Sequence, residues 1–242
     1  MRMGWLVWVV FLAAVDLQAQ DKPVLRWGAD SEGGAPYIFR DPQNTSRYLG
    51  YEVELAEALG DKLGRSMVFV QNEFKELTNG LKRGDYAFAL NGIEATADRQ
   101  AQFRLSRPYY VYQQQLVVRA DEKRFTTFEE AMSQNLVIGT MEETAADRIL
   151  TGRQANKKLY NGPTDAYRDL ELGRIDAVLL DWPMAATYAR PNPKLRFAGE
   201  PFAKGYYVII FRKEDEALAQ QVDASLSELW EDGTLKRIYE KW

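Results

Sequence analysis

The stretch LKRGDYAFALNG (residues 81–92) runs from the end of an amphipathic helix, through a Gly-centred turn and an acidic residue, into an apolar strand with a polar end. The stretch LELGRIDAVLLD (residues 170–181) repeats this order later in the chain. Because a helix followed by a strand is a building unit of α/β domains, the repetition predicts two α/β lobes of similar construction.

The segments around these two stretches continue the alternation of strand and helix. VLRWGAD (residues 24–30) favours a strand that ends at Asp30, and residues 51–64 favour a helix with an apolar leucine stripe and Gly64 at its C-terminal cap. Further strands are predicted at SMVFVQ, YAFAL, LVIGT and IDAVLLD, and further helices at FKELTNGLKRG, TAADRILTG, TDAYRDLELG and WPMAATYA. Residues 216–242 are typical of amphipathic helix with a break at Gly233. Strands that alternate with helices indicate βαβ units and a mainly parallel sheet.

Two strand-like runs have no helix of their own: YYVYQQQLVVR (residues 109–119) and GYYVIIFR (residues 205–212). We interpret them as two crossings between the lobes, after which the chain returns to the first lobe. In open α/β sheets, ligands bind beyond the carboxyl ends of the strands. Residues 91–99 follow a strand of the first lobe and Asp181 follows one of the second, so we expect them on opposite walls of one cleft.

Composition narrows the possible functions. The net charge is −4, from 31 basic and 35 acidic residues, and the absence of a Lys/Arg run argues against a nucleic-acid partner. The chain has no His and no Cys, which excludes a Ser-His-Asp triad, His-ligated zinc, a disulfide, a thiolate nucleophile and an iron–sulfur cluster. It has no GxxxxGK[ST] and no GxGxxG motif, so we expect neither a nucleotide site nor a cofactor.

The N-terminal residues have the pattern of a secretory signal peptide. Arg2 provides a positive start, residues 5–15 are apolar, and Ala19 offers a small residue at a cleavage point. The apolar run is shorter than the roughly twenty residues that span a bilayer. We therefore expect residues 1–19 to be removed and the mature protein to reside in the periplasm, the alternative being a buried N-terminal helix.

Five segments together resemble the polar amino-acid-binding proteins of ABC importers, the periplasmic solute-binding proteins of family 3. They are GYEVELAEALGDKLG, FKELTNGLKRGDYAFALNGIEATADR, FRLSRPYYVYQQQLVV, YRDLELGRIDAVLLDWP and LSELWEDGTLKRIYEKW. The resemblance implies the two-lobed periplasmic-binding-protein (Venus flytrap) fold of type II, an α/β fold with two hinge crossings. Lobe 1 would comprise residues 20–112 and 207–242, and lobe 2 residues 113–206. It also implies a monomer that captures a polar amino acid between closing lobes and delivers it to an ABC permease in the inner membrane, without catalysis.

The family pattern assigns three charged or capping residues to the ligand. Arg99 falls where the family binds the ligand's α-carboxylate, a role that suits the bidentate guanidinium. Thr144 opens a helix (TAAD) whose N-terminus suits a carboxylate, and Asp181 falls where the family binds the ammonium group. The alternatives are a solvated surface Arg, a plain helix cap and a solvated or helix-capping Asp.

Further positions align with the ligand side chain and main chain. Asp30 and Phe74 align with side-chain contacts, although Phe74 as bare sequence suits a core equally well. Asn91 and Gly92 are expected to serve through main-chain groups, and Met141 is assigned to the same site.

Several residues depart from the family pattern. Glu94 stands where many relatives carry Ser or Thr, and Gly33-Gly34 where relatives often have an aromatic residue. Glu142 and Glu143 precede Thr144 where Gly or Ser is usual. A carboxylate at position 94 would either bind the ammonium, reach a cationic side chain or point to solvent. Together with Asp30 and Asp181, it hints at a basic or strongly polar ligand.

Two other functions stay open on the same scaffold. One is a dehydratase acting on prephenate or arogenate, with a buried acid such as Glu94 or Glu142 as proton donor. The other is a sensory module that presents its ligand to a membrane receptor. Turnover of prephenate would identify the enzyme, whereas reversible binding of an unchanged amino acid would identify the binding protein.

Overall fold

A computed structural model describes residues 22–242. The predicted signal peptide, residues 1–19, lies outside this range. The strands are β1 (Val24–Ala29), β2 (Phe39–Arg40), β3 (Tyr48–Leu49), β4 (Ser66–Gln71), β5 (Phe88–Ala89), β6 (Arg104–Leu105), β7 (Tyr110–Arg119), β8 (Ile138–Met141), β9 (Lys157–Tyr160), β10 (Ala177–Asp181), β11 (Leu195–Tyr207) and β12 (Ile210–Phe211). The helices are α1 (Tyr51–Leu63), α2 (Leu77–Arg83), α3 (Ala97–Gln102), α4 (Phe128–Ser133), α5 (Ala145–Gly152), α6 (Pro163–Glu171), α7 (Trp182–Ala189), α8 (Glu216–Glu231) and α9 (Thr234–Lys241).

Two five-stranded sheets form the centres of two lobes. The first has the order β4-β1-β5-β12-β6 and the second the order β11-β7-β10-β8-β9. In the first sheet β4, β1 and β5 are parallel, and in the second β10, β8 and β9 are parallel. The repeated helix–turn–strand unit of the sequence thus ends in β5 of one sheet and β10 of the other, and the predicted two-lobed fold is confirmed.

The two crossings run side by side. β7 and β11 are antiparallel, with Tyr110 opposite Tyr207 and Tyr112 opposite Gly205. Register shifts between Ala198 and Gly205 interrupt the pairing where the strands pass from the hinge into the second sheet. The chain then returns to the first sheet through β12, which is antiparallel to β5.

The prediction of a mainly parallel sheet is wrong for the strands that come from the crossings. β7 is antiparallel to β10, and β12 is antiparallel to both β5 and β6. A strand that enters the sheet from the hinge arrives without a crossover helix, so nothing forces it to run parallel. The strand predicted at YAFAL shrinks to Phe88–Ala89, and the second crossing begins earlier than predicted because β11 starts at Leu195.

Buried leucines and terminal glycines explain two features of the helices that the sequence predicted. α1 buries Leu55 and Leu59 completely, and Gly64 ends it with φ of 63°. The break predicted at Gly233 separates α8 from α9 with φ of 76°. Within residues 22–242, every helix is too short or too polar to cross a bilayer.

Candidate functional site

A cavity of about 30 Å³ lies between the lobes, at the carboxyl ends of β5 and β10. Seven of the nine predicted site residues line it, together with Gly33, Tyr37 and Met184. The seven are Phe74, Asn91, Gly92, Glu94, Met141, Thr144 and Asp181. A volume of this size holds about one water molecule. An amino acid can therefore enter only when the lobes separate.

Arg99 lies directly behind the cavity wall. Thr96 caps α3 by accepting a hydrogen bond from the Arg99 backbone N–H at 3.2 Å, which fixes the start of the helix. The Arg99 side chain turns back to Glu94: its Nη1 donates to the Glu94 carbonyl oxygen at 2.9 Å and also to the Glu94 carboxylate. In this structure the guanidinium is therefore engaged by a carboxylate of its own loop.

Glu94 also reaches the opposite lobe. Its Oε1 accepts a hydrogen bond of 2.7 Å from the backbone N–H of Ala145, in the first turn of α5. Its Oε2 lies 3.4 Å from Nη2 of Arg148 on the same helix. Thr144 caps α5, accepting from Asp147 N at 3.3 Å and donating to the Met141 carbonyl at 2.8 Å. The cap and the Glu94 contact are thus neighbouring features of one helix N-terminus.

Asp181 is the acid of the second wall. It caps α7 by accepting from Met184 N at 3.0 Å, and it accepts from the Tyr37 hydroxyl of the first lobe at 2.7 Å. Burial raises the pKa of Asp181 to about 6, and hydrogen bonds from Met184 and Tyr37 oppose that rise. Among residues 22–242 no Lys or Arg forms an ion pair with it, whereas Glu94 has two.

Asp30 organises the first wall without lining the cavity itself. Its carboxylate accepts hydrogen bonds from Glu32 N, Gln71 Nε2 and Phe74 N at 2.9, 3.0 and 2.9 Å. Its own backbone N–H donates to Asn91 Oδ1 at 2.8 Å. Asp30 also faces a larger outer cavity of about 340 Å³, which it shares with Phe74 and Met141. Through its carboxylate and its backbone N–H, Asp30 therefore ties three segments of the wall together.

Sequence reasoning missed Tyr37. Its hydroxyl lies 3.1 Å from that of Tyr207 as well as contacting Asp181, and Tyr207 stacks on Tyr112 at the hinge with ring centroids 4.5 Å apart. Gly50 makes this position possible, because a Cβ there would lie 2.1 Å from the Tyr37 carbonyl oxygen. The sequence did contain a signal: Gly33-Gly34 stands where relatives often have an aromatic residue, and Tyr37 is an aromatic residue shortly after it.

Glu52 was missed as well. It is fully buried, its Oε1 accepts from Gly92 N at 2.6 Å, and it also accepts from the Tyr109 hydroxyl, while Oε2 has no hydrogen-bond partner. Burial raises the pKa of Glu52 to about 7. Glu52 therefore supports the Asn91–Gly92 wall from behind. A Glu in the first turn of a helix reads in sequence as an exposed partner of the helix dipole, so the pattern gave no signal of burial.

No cluster of three or more acidic side chains within residues 22–242 could hold a metal ion. The site consists instead of a buried acid–guanidinium pair on one side and an acid without a cation on the other.

Comparison with known proteins gives the following matches. The family described as bacterial extracellular solute-binding proteins, family 3, matches residues 25–242. The arginine-binding periplasmic protein of Mannheimia haemolytica is 27% identical, with 98% of this chain and 97% of that protein covered. The L-cystine-binding protein TcyJ of Escherichia coli K12 is 26% identical, over 86% of this chain and 78% of that protein.

Solved structures agree with the sequence matches. An ancestral arginine-binding protein bound to glutamine superposes with a TM-score of 0.83 at 27% identity, over 90% of this chain and 97% of that one. The ancestral amino acid-binding protein AncCDT-1, a precursor of cyclohexadienyl dehydratase, superposes with a TM-score of 0.84 at 26% identity, over 90% and 95% of the two chains. These matches confirm both the resemblance and the two-lobed fold.

Proposed function

Since the chain belongs to the bacterial extracellular solute-binding proteins of family 3, we propose that it captures a polar amino acid between its lobes and delivers it to an ABC permease. The observation that carries the proposal is Asp181, an acid without a cationic partner among the described residues, on the wall of a cavity that both lobes line. A ligand ammonium group supplies the missing cation. Arginine- and cystine-binding proteins among the relatives support an amino acid as the ligand class.

Closure follows from the position of the contacts. Tyr37 of the first lobe meets Asp181 of the second, and the ligand replaces or joins this contact when it binds. Because a ligand held by both walls makes all its contacts only when the lobes are closed, binding shifts the lobes toward closure. The moving units are residues 20–112 with 207–242 and residues 113–206, and the protein acts as a periplasmic monomer whose closed form docks on the permease.

An enzymatic function is not favoured by the two acids that sequence analysis singled out. Both oxygens of Glu94 already accept hydrogen bonds or contact guanidinium groups of the protein, the arrangement of an acceptor rather than of a proton donor. The Glu142 side chain is 44% exposed and lies 4.0 Å from Lys75, an open setting for a catalytic acid. The likeness to a dehydratase precursor is the reason to include prephenate in the test.

The test is isothermal titration calorimetry of the mature chain, refolded to strip carried-over ligand, against the twenty amino acids, ornithine, citrulline and prephenate. Saturable one-to-one binding of one or a few amino acids, recovered unchanged, is the expected result. Absence of binding by all the amino acids, or turnover of prephenate, would contradict the proposal. Stimulation of the ATPase activity of the reconstituted transporter by the loaded protein tests delivery.

A further inference from the structure

The Glu94 carboxylate occupies the groups of the cleft that are suited to an anion. Arg99 Nη1 donates to it from the first lobe, and the backbone N–H of Ala145 donates to it at 2.7 Å from the second. The eight-residue helix α5 adds its positive N-terminal end and Arg148 at 3.4 Å. A guanidinium and a helix N-terminus are the pair of partners that would otherwise take a ligand carboxylate.

The position of Glu94 is fixed by its main chain. Its backbone lies opposite Tyr207 in an antiparallel bridge at the hinge, and its carbonyl oxygen accepts a hydrogen bond from Arg99 Nη1 at 2.9 Å. The side chains of Glu94 and Arg99 are only 6% and 15% exposed. Charges so shielded from water attract strongly, and a ligand carboxylate that took Arg99 would leave the buried Glu94 charge with only the more exposed Arg148 as a charged partner.

On the opposite wall of the cleft, an acid has no cationic partner. Asp181 accepts hydrogen bonds from Tyr37 and Met184, both neutral donors, and forms no ion pair within residues 22–242. Arg148, the second guanidinium at Glu94, is 44% exposed and therefore screened by water. Among the buried charges, Glu94 and Arg99 neutralise each other and Asp181 has no charged partner within residues 22–242. The buried charges therefore call for a ligand that brings a positive group and needs no negative one.

We propose that Glu94 serves as a built-in surrogate for the ligand's α-carboxylate, so that the cleft selects organic cations by their ammonium or guanidinium group. This inference rests on the proposed function, in that it takes the same cleft as the ligand site. Arg99 then acts as a positioning residue that holds Glu94 rather than as a clamp on the ligand. The ligand class extends to amines that have no carboxylate.

The experiment compares each amino acid with its decarboxylated amine: arginine with agmatine, and lysine with cadaverine, by calorimetry on the refolded full chain. Where an amino acid or its amine binds the wild type, we expect the two Kd values to differ by no more than about tenfold, since Glu94 already occupies the groups that would bind the ligand carboxylate. In Glu94→Ser, Arg99 and the α5 N-terminus become available to the ligand. Preference for the amino acid over its amine should then rise about 100-fold or more.

Glu142→Ser is the matched control, because it removes a negative charge from the outer cavity without touching Arg99. It should leave the ratio within each pair unchanged. A wild-type preference for the amino acid of more than tenfold overturns the inference and leaves the proposed function standing, even if Glu94→Ser fails to fold. Absence of binding by all four compounds, together with silence of the amino-acid panel, overturns both.

Discussion

Replacing Asp181 by asparagine is expected to weaken ligand binding and to stabilise the protein at the same time. Asparagine keeps an Oδ1 that can accept from Met184 N and the Tyr37 hydroxyl, so the cap of α7 is retained. The negative charge that would pair with the ligand cation is lost. Removing one partner of a buried charge pair typically costs about 3–5 kcal/mol, so the Kd should rise about 100-fold or more.

The gain in stability follows from the pKa of Asp181. Burial raises that pKa from 3.8 to about 6, so the folded state keeps a proton that the unfolded state releases between these values. The free energy of unfolding of the wild type therefore falls as pH rises through this window, and the loss is complete above about pH 7. At 1.36 kcal/mol per pKa unit, the neutral Asp181→Asn chain should be more stable above that pH by up to about 3 kcal/mol.

The assay is urea unfolding at several pH values, paired with calorimetry of the tightest-binding amino acid. Asp98→Asn is the matched control for binding: Asp98 is exposed in the first turn of α3, so Kd should not change beyond error. Its free energy of unfolding should fall by no more than about 1 kcal/mol and should show no change through the window in which Asp181 titrates. The reasoning is refuted if Asp181→Asn binds the ligand as tightly as the wild type. If the free energy of unfolding of Asp181→Asn lies below that of the wild type above pH 6, the explanation by a buried charge at Asp181 is refuted.

Three further substitutions test the support of the site. Glu52→Gln should be more stable than the wild type above about pH 8, by up to about 3 kcal/mol, and equally stable below about pH 4. The reason is that the raised pKa of Glu52 makes the wild type lose stability as pH rises from 4.5 to about 7. Urea unfolding across pH measures this difference, and free energies of unfolding that change with pH in parallel for the two proteins would contradict it. Thr144→Ala should lower the free energy of unfolding by about 1 kcal/mol through loss of the α5 cap, seen as a drop in Tm, whereas an unchanged Tm would rule out a cap that matters. Gly50→Ala should cost more than about 3 kcal/mol, since its Cβ would strike the Tyr37 carbonyl at a φ of 134°, and a well-folded variant with normal Tm would show that this backbone yields.

The sequence predicted the parts of the fold that depend on local pattern. The stripe of Leu55 and Leu59 predicted α1 almost to the residue, and Gly233 predicted the break before α9, because both signals lie within a few turns of chain. The direction of β12 could not be predicted locally. It depends on how the return crossing meets β5, a contact between residues far apart in sequence.

The site shows the same division. Asn91 follows β5 and Asp181 is the last residue of β10, and both could be placed at a cleft because ligands bind beyond the carboxyl ends of the strands. The partners of these side chains could not be predicted from sequence. For Glu94 the sequence allowed a ligand ammonium group, a cationic side chain or solvent, and only the structure shows that Arg99 and Ala145 contact it. The burial of Glu52 likewise depends on Gly92 and Tyr109, which come from other segments of the chain.

A crystal structure of the mature protein with its tightest-binding amino acid tests the central claim most directly. The account predicts the ligand ammonium or guanidinium within hydrogen-bonding distance, about 3 Å, of the Asp181 carboxylate, with both lobes in contact with the ligand. It also predicts that Glu94 still holds Arg99 and the N-terminus of α5. A ligand bound outside the cleft, or one whose cation lies away from Asp181, would contradict the account.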